Sequence, residues 1–438
     1  MVFAATSILD DPLRGSGCPT PVGTLVPSVE ELALRLRSIG ESRAGLARMR
    51  RIGTSREGRA LEVLSIGSGP RAVLVVGGPH PNEPVGYATI GVLADLVAAH
   101  PDLRDGLAWH FLPCVDPDAA AMNAGWTSLP LDLLAQHRHF YRPAMAEQPE
   151  WTFPVRWGDR LHRFGLSENQ ALADLVDVLR PAVAVSLHNS EFGAPFFVLS
   201  EDVPGLAEQL AAASARHGLP VAEAAPADVV GWPELGRGVF RMPPVEELVI
   251  RDHTQAPSYG AHLAHYAARH GTVTLLPEVP RWHTGTRFDD APPTELANLA
   301  HALTREASEV RRLMEQASLP DGVFTRAAND TLAVSTTVAR SWRQRATHPA
   351  PAPGAELAEA HYMRVMMTLR AAGMALRAAN NAPSSPSVLA VRGQLDELLA
   401  ERARRCAQLL RPTPIELERL VAVQADATLA GVSLVVGR

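Results

Sequence analysis

The sequence has few cysteines, no block of basic residues and no uninterrupted apolar stretch of eighteen residues. Its three cysteines, Cys18, Cys114 and Cys406, are widely spaced and follow no pairing pattern, which is consistent with a reducing cytoplasm. A formal net charge of −6 without a basic patch argues against nucleic acid as a partner. The lack of a long apolar stretch predicts that the chain has no membrane span and no membrane partner.

The N-terminus lacks the pattern of an exported protein. Residues 1–10 have no basic segment ahead of an apolar one, so they do not resemble a secretory signal, and no pro-segment is obvious after them. Together with the cysteine pattern, this favours a cytoplasmic protein with a metabolic role.

The chain is long enough for one large domain and an added one. Residues 28–48 predict an amphipathic helix that begins at Ser28, and mixed strand and helix patterns continue to about residue 290. A long helix is predicted over 292–317, after which strand patterns nearly vanish. The remaining helical patterns cover 323–346, 355–379, 387–411 and 413–428.

Short breakers between these last helices are typical of an antiparallel bundle. We therefore predict an α/β domain over residues 1–317 and a helical C-terminal domain over residues 318–438. The helical domain could form a subunit interface of a homo-oligomer, narrow a cleft of the first domain, or bind a partner. We favour an interface or a cleft wall.

Three apolar runs in the first domain each end at residues that can bind a metal or move a proton. The runs cover 72–76, 182–187 and 272–277, and they lead to His80 with Glu83, to His188 and to Glu278. Apolar runs bounded by Gly and Pro predict buried strands. Because open α/β sheets place ligands beyond the carboxyl ends of their strands, we expect these side chains to meet at one sheet edge.

These residue types match a catalytic zinc site. Two histidines and a glutamate are ligands that zinc accepts while keeping an open position for water. We predict that His80, Glu83 and His188 bind Zn²⁺ and that Glu278 activates the water. The alternative is that His188 and Glu278 are polar residues at loop starts without a metal role.

At these residues the sequence resembles the zinc carboxypeptidase family of the carboxypeptidase A type. Residues 52–64 are similar to the family's Gly-x-Ser-x-Glu-Gly-Arg hairpin, residues 115–119 to its Asn-Pro-Asp-Gly block, and residues 186–189 to the segment of its third metal ligand. The resemblance covers roughly residues 25–315. It implies a mixed, mostly parallel twisted sheet flanked by helices, with zinc as cofactor. It assigns the metal ligands and the general base to the same four residues.

The resemblance also suggests residues that hold the substrate. An exopeptidase recognises a terminal carboxylate, and the planar guanidinium of Arg pairs with both carboxylate oxygens. Arg138 is the first candidate for this role and for catalysis, and Arg142 is the second, although both could be surface residues. Tyr259, in a loop-like segment before Glu278, matches the family's mobile Tyr and is predicted to act in substrate binding and catalysis.

The chain departs from the family pattern at two points. The family's second Arg, which helps to stabilise the oxyanion, is absent from residues 119–127. Losing one such donor costs about two to three orders of magnitude in rate. His137 stands in place of the first Asn of the carboxylate-binding segment. Both departures put ordinary peptide cleavage in question while leaving the metal chemistry in place.

Three further expectations concern the surroundings of the site. Asp116 or Asp118 could orient His80, although either could equally cap a turn. Residues 147–154 could line the cleft, but a buried loop anchor is the preferred interpretation. His262 and His265 are interpreted as structural or surface residues. The pocket for the terminal side chain is expected within residues 230–265, where Glu246, Glu247, Arg251 and Asp252 could select for charge or be solvated.

We therefore predict a zinc-dependent hydrolase that cleaves a C-terminal peptide bond or an amide of a small amino-acid conjugate. One alternative is a deacylase of small N-acyl amino acids, as in the aspartoacylase-like branch. Another is a non-catalytic metal-binding scaffold that works through its helical domain. The absent oxyanion Arg favours the scaffold, and the presence of Glu278 argues against it.

Overall fold

A ten-stranded sheet forms the centre of the structure, which is a computed structural model describing residues 25–226, 229–249 and 257–437. The strands in the described residues are β1 (Ala47–Thr54), β2 (Ala60–Ile66), β3 (Arg71–Val76), β4 (Leu107–Leu112), β5 (Val155–Trp157), β6 (Arg160–His162), β7 (Val183–Ser186), β8 (His188–Ser190), β9 (Phe196–Leu199), β10 (Glu234–Gly236), β11 (Val239–Arg241), β12 (Val273–Pro280), β13 (Trp282–Thr284) and β14 (Pro412–Pro414). Strands β5 and β6 form a separate hairpin, and β13 pairs with β14.

The helices alternate with these strands in the first part of the chain and follow one another in the last part. They are α1 (Val29–Ser42), α2 (Val85–Ala99), α3 (Pro117–Ala121), α4 (Ala124–Thr127), α5 (Leu133–Arg138), α6 (Ser167–Leu179), α7 (Leu206–Arg216), α8 (Val245–Leu248), α9 (Leu263–Ala268), α10 (Thr294–Gln316), α11 (Val323–Arg345), α12 (Gly354–Asn381), α13 (Pro386–Leu410) and α14 (Leu417–Val436). Short 3-10 turns lie at Pro101–Arg104, Met145–Glu147 and Pro149–Trp151.

The sheet is mixed, and its central strands are parallel. Its order is β1-β2-β4-β3-β7-β12-β9-β11-β10, with β8 pairing alongside β12. Strands β4, β3, β7 and β12 run in parallel, whereas β12 and β9 are antiparallel. The carboxyl ends of β3, β7 and β12 therefore meet at one edge of the sheet, as the three apolar runs predicted.

Helices cover both faces of the sheet because the central strands are apolar on both sides. Val73 and Val75 pack into the core beneath α1, α2, α7 and α14, whereas Leu74 and Val76 pack into the opposite core beneath α6 and α9. Successive side chains of a strand point to opposite faces, which explains this alternation. The predicted fold class, a mostly parallel sheet with flanking helices and a helical C-terminal region, is confirmed.

The helical bundle has different bounds from the predicted second domain. Helices α10 to α13 pack on one another and share one core, so the bundle already begins at Thr294. Helix α14 leaves the bundle and packs against α2, α7, β7 and β12 of the sheet. The bundle therefore spans residues 294–410, whereas the predicted helical domain spans 318–438. Helical periodicity alone does not show which surface a helix covers, so it could not place these bounds.

The first helix is shorter than predicted. Ser28 caps it, and Ser28 and Glu31 form a reciprocal capping box, as the sequence suggested. The helix ends at Ser42, and the chain turns through Gly45, which has a φ of +92°. Residues from Ala47 onward then form the edge strand β1 instead of a further helical turn.

Helix α14 is long and apolar enough, by length and composition, to cross a membrane. The search for an uninterrupted apolar stretch missed it because Glu418, Arg419 and Asp426 lie within the segment. In the structure 72% of its most apolar window is buried, which is the behaviour of a core helix.

We expect His110→Gln to reduce the acid sensitivity of the fold. His110 on β4 is buried beside Ser65, and burial together with Arg50 lowers its pKa to about 4. Because an unfolded His binds its proton near pH 6.5, the free energy of unfolding falls by about 3 kcal/mol between pH 6.5 and 4. Urea unfolding near pH 7 and near pH 5 should show a smaller loss in the variant.

The exposed His301 supplies the control for this measurement. His301→Gln should lose stability on acidification as the wild type does, since this side chain lies on the surface of α10. Equal acid sensitivity of His110→Gln and the wild type would show that His110 is not held neutral by burial.

Candidate metal centre and its cavity

His80 and Glu83 lie on a tight turn directly after β3. Gly78 in this turn has a φ of +53°, and a Cβ there would approach the Tyr87 ring to 2.7 Å, so a larger residue would not fit. The Glu83 N–H donates to the His80 carbonyl at 3.1 Å, and α2 begins at Val85. The turn therefore brings both side chains to the sheet edge, where they are buried.

His188 joins this turn to the end of β12. Its Nδ1 lies 2.9 Å from Glu83 Oε2 and 3.7 Å from Glu278 Oε1. Strand register places it there, because His188 and Glu278 are direct partners in the parallel pair of β8 and β12. The Asn189 side chain accepts the Val85 N–H at 3.0 Å, which fixes β8 against the start of α2.

Glu150 contacts the opposite side of the His188 ring and was not predicted as a site residue. Its Oε2 lies 3.1 Å from His188 Nε2 and 3.9 Å from His80 Nε2, and its Oε1 accepts the Ser186 hydroxyl. This residue is completely buried. The available sequence signal was a carboxylate enclosed between Pro149 and Trp151 in a segment rich in proline and aromatic residues.

The donor atoms of the site form two overlapping groups around His188. One group contains His80, Glu150 and His188, and the other contains Glu83, His188 and Glu278. His80, Glu83, His188 and Glu278 all line the same cavity, whereas Glu150 does not. Glu150 therefore lies behind the two imidazole rings, and the Nδ1 side of His188 faces the open space.

One ring nitrogen of His80, Nδ1, is buried without a hydrogen-bond partner among the described residues. The ring centroid of His80 lies 5.0 Å from that of His188. Imidazole nitrogen with carboxylate oxygen is a donor set that suits Zn²⁺, and a carboxylate behind the ring commonly orients such histidines. The residues present therefore fit a zinc ion on the cavity side of the rings.

The charges of the site favour a cation. Burial opposes ionisation of Glu83, but His80, His188 and Arg142 outweigh it and lower its pKa to about 2. Burial likewise opposes the charge on Glu150, yet His262 and His188 hold its pKa well below the usual range. Both carboxylates are therefore negative at neutral pH, which is the state that binds a metal or orients its histidine ligands.

The cavity in front of these residues has a volume of about 290 Å³, and the helical bundle forms part of its wall. Helix α11 contributes Asp330, Thr331 and Val334 to the lining. Helix α12 contributes Glu359, Tyr362, Met363, Met366, Met367 and Arg370. Part of the helical bundle therefore lies along this cavity.

The cavity lining includes the apolar side chains of Val229, Trp232, Met242 and Leu248. The last three lie within residues 230–265, where the pocket for the terminal side chain is expected. Charge selection by Glu246 and Glu247 finds no support, because both side chains are exposed outside the lining. Arg251 and Asp252 lie outside the described residues.

Arg142 reaches the cavity, and Arg138 does not. Arg142 Nη1 lies 2.8 Å from Glu83 Oε1 and lines the space next to the turn. Arg138, at the end of α5, instead pairs with Asp396 of α13 through both Nε and Nη2 and is absent from the lining. Arg138, the first candidate for binding the substrate carboxylate, is therefore paired outside the cavity. Its partner Asp396 belongs to the C-terminal bundle, and the local sequence around Arg138 does not reveal this contact.

Tyr259 also lies away from the lining. Its hydroxyl donates to the Leu248 carbonyl at 3.2 Å, and its ring packs against Trp151. In this arrangement it supports the pocket wall and does not face the candidate metal centre.

Neither predicted aspartate orients His80. Asp116 caps α3 and lies 3.3 Å from Arg56, and Asp118 accepts the Ser55 hydroxyl at 2.7 Å. His262 was interpreted as structural, but it lines the cavity with its Nε2 3.4 Å from Glu150 Oε1. Its Nδ1 accepts the Ala264 N–H, so the ring proton lies on the side of Glu150.

Comparisons with known proteins found similarity to zinc carboxypeptidases. A family profile described as zinc carboxypeptidase matches residues 35–128, which confirms the resemblance to that family. No curated protein shows a significant match to the chain.

Two solved structures illustrate the same resemblance. Carboxypeptidase A from Helicoverpa armigera is 16% identical, with a TM-score of 0.39, over 78% of this chain and 80% of that one. A metallo-carboxypeptidase from Burkholderia cenocepacia is 16% identical, with a TM-score of 0.36, over 57% of this chain and 60% of that one.

Proposed function

We propose that this protein is a zinc-dependent hydrolase that cleaves a C-terminal peptide bond or an amide of a small amino-acid conjugate. The observation that carries the proposal is the meeting of His80, Glu83, His188 and Glu278 at one cavity from three separate strand ends. His80, Glu83 and His188 would hold the metal. Zinc bound there would polarise the substrate carbonyl and lower the pKa of a water molecule.

Glu278 is the proposed general base and acid. Its Oε1 lies 3.7 Å from His188 Nδ1, on the cavity side of the ring, where a proton can be exchanged with the reacting groups. It would take a proton from the attacking water and deliver it to the leaving nitrogen. Since a scaffold protein needs no such group, this position favours the enzyme over the non-catalytic alternative.

The remaining lining residues indicate the kind of substrate. The apolar pocket of Val229, Trp232 and Met242 suits an apolar side chain next to the scissile bond. Helices α11 and α12 form part of the cavity wall, which favours small peptides or acylated amino acids over long chains. An N-acyl amino acid deacylase would use the same residues, and comparing rates on dipeptides, tripeptides and N-acyl amino acids separates the two reactions.

We expect the protein purified without added metal to contain close to one zinc per chain, and His188→Ala to lose it. His188 lies between Glu83 and Glu150, so its removal separates the donor atoms. Elemental analysis of the purified proteins checks this. His301→Ala is the matched control, because this histidine is exposed on α10 and should leave the zinc content unchanged. Wild-type protein that neither contains nor takes up zinc would contradict the proposal.

We expect Glu278→Gln to keep its zinc and to lose activity by about two to four orders of magnitude, since the amide cannot accept a proton. Initial rates on an N-acyl dipeptide that ends in Phe, together with metal analysis, provide the measurement. The control is Glu234→Gln, an exposed carboxylate on β10 outside the cavity lining. Wild-type rates with Glu278→Gln would assign the proton transfer to another group.

We expect Glu150→Gln to weaken zinc binding by roughly ten- to a hundred-fold, because the charge behind the two histidines is lost while the side-chain shape is kept. Competition with a coloured chelator measures the affinity. Glu168→Gln serves as control, since this buried carboxylate pairs with Arg56 at 3.0 Å and does not line the cavity. Equal zinc affinities of the two variants would mean that the charge of Glu150 does not contribute to zinc binding.

A further inference from the structure

The helical bundle contributes one guanidinium to the candidate active-site cavity. Arg370 lies on α12 and lines the same space as His80, Glu83, His188 and Glu278. Its side chain is only 8% exposed, so the charge is largely removed from bulk solvent. An arginine at such a place is either fully paired within the protein or available to an anionic ligand.

Arg370 is held from one side only. Its Nε lies 2.8 Å from Glu191 Oε1, and the guanidinium carbon lies 5.0 Å from the Phe140 ring centroid. The two terminal nitrogens make no hydrogen bond to any described residue. The side chain is therefore fixed in position while its terminal donors remain available for a ligand.

The partner of Arg370 is itself fixed. Burial opposes ionisation of Glu191, but Arg370 and His137 outweigh it and lower the pKa of Glu191 to about 2. His137 Nε2 lies 3.2 Å from the second Glu191 oxygen. His137 stands where the family pattern has Asn. In this chain it makes a buried contact with Glu191, the carboxylate that holds Arg370.

The other arginines of this region are engaged elsewhere. Arg142 is the only further arginine in the cavity lining of the described residues, and it contacts Glu83 of the candidate metal centre at 2.8 Å. Arg138 pairs with Asp396, and Arg281 is buried near the Trp126 ring outside the lining. Among the arginines of the cavity lining in the described residues, Arg370 is the one whose two terminal nitrogens both lack a hydrogen bond to the protein, because Arg142 Nη1 bonds to Glu83.

We propose that Arg370 binds the carboxylate of the substrate, so that the helical bundle completes the active site. The inference rests on the proposed hydrolase function and adds to it the residue that recognises the free carboxylate of the substrate. The planar guanidinium can donate two parallel hydrogen bonds to the carboxylate oxygens. The apolar pocket of Val229, Trp232 and Met242 lies in the same cavity for the side chain.

The test uses a ligand pair that differs in one charge. 2-(Sulfanylmethyl)-3-phenylpropanoate offers its thiolate to the metal, its phenyl ring to the apolar pocket and its carboxylate to Arg370, and its primary amide lacks the charge. Calorimetry with the zinc-loaded full chain should show that the wild type binds the acid roughly ten- to a hundred-fold more tightly than the amide. Arg370→Gln should bind both equally and keep its zinc.

Arg364→Gln is the matched control. Arg364 lies on the same helix and pairs with Glu306, but it does not line the cavity, so this variant should keep the wild-type preference. Because Arg370→Gln removes one of the two partners of Glu191, Arg370→Lys is a second variant that retains the charge. It should fold and show a preference between those of the wild type and Arg370→Gln.

Two results would overturn the role of Arg370. One is a zinc-loaded wild type that binds acid and amide equally, and the other is a wild-type preference in Arg370→Gln that disappears in Arg142→Gln. A wild type that takes up no zinc would overturn the proposed function and this inference together. A zinc-loaded protein with the expected binding preference but no turnover would contradict the hydrolase alone.

Discussion

The contact on which the site depends is the burial of His188 between carboxylates from two different segments. Glu83 lies 2.9 Å from Nδ1, and Glu150 lies 3.1 Å from Nε2. The ring can satisfy both only when β8, the turn after β3 and the segment around Glu150 are packed together. A buried charge without its partner costs several kcal/mol, so these three segments stabilise one another. Glu278 enters the same group through its strand register beside His188.

Backbone contacts reinforce this arrangement from outside the cavity. Gln424 of α14 donates to the His188 carbonyl at 2.6 Å, and its own side-chain oxygen accepts the Thr89 hydroxyl of α2. Helix α14 thus holds the strand that contains His188 against the helix that follows the turn of His80 and Glu83. This role explains why α14 returns to the sheet after the bundle. It also explains how an apolar helix of this length becomes a core element.

The helical bundle adds a wall to the cavity at the sheet edge. Resemblance to zinc carboxypeptidases implies a cleft at the sheet edge, and here α11 and α12 form one of its walls. The oxyanion Arg expected within residues 119–127 is absent, and that segment instead packs through Asn123, whose side chain bonds to Tyr141 and Trp126. Positive charge reaches the cavity from Arg142 and from Arg370 of the bundle. Of these two arginines, Arg370 comes from the helical bundle and Arg142 from the α/β part of the chain.

Local patterns were enough to find the strand-end residues. His80, Glu83, His188 and Glu278 each follow an apolar run, and parallel strands bring such ends together without further information. Helices α10 to α13 were also predicted within a few residues, because their apolar periodicity is regular. Glu150 and His262 were not recognised as site residues, since they lie on irregular segments whose position depends on packing. Arg138 was misplaced for the same reason, as its partner Asp396 lies more than two hundred residues away in the chain.

The sequence by itself determined the class of sheet, the glycine turn after β3 and the residues that can bind a metal, because each of these follows from short-range periodicity and residue chemistry. The tertiary structure alone decided which carboxylate lies behind the histidines, which arginines reach the cavity and where the bundle ends. Those outcomes depend on contacts between distant segments, where burial and charge pairing select one partner among several. No local pattern carries that information.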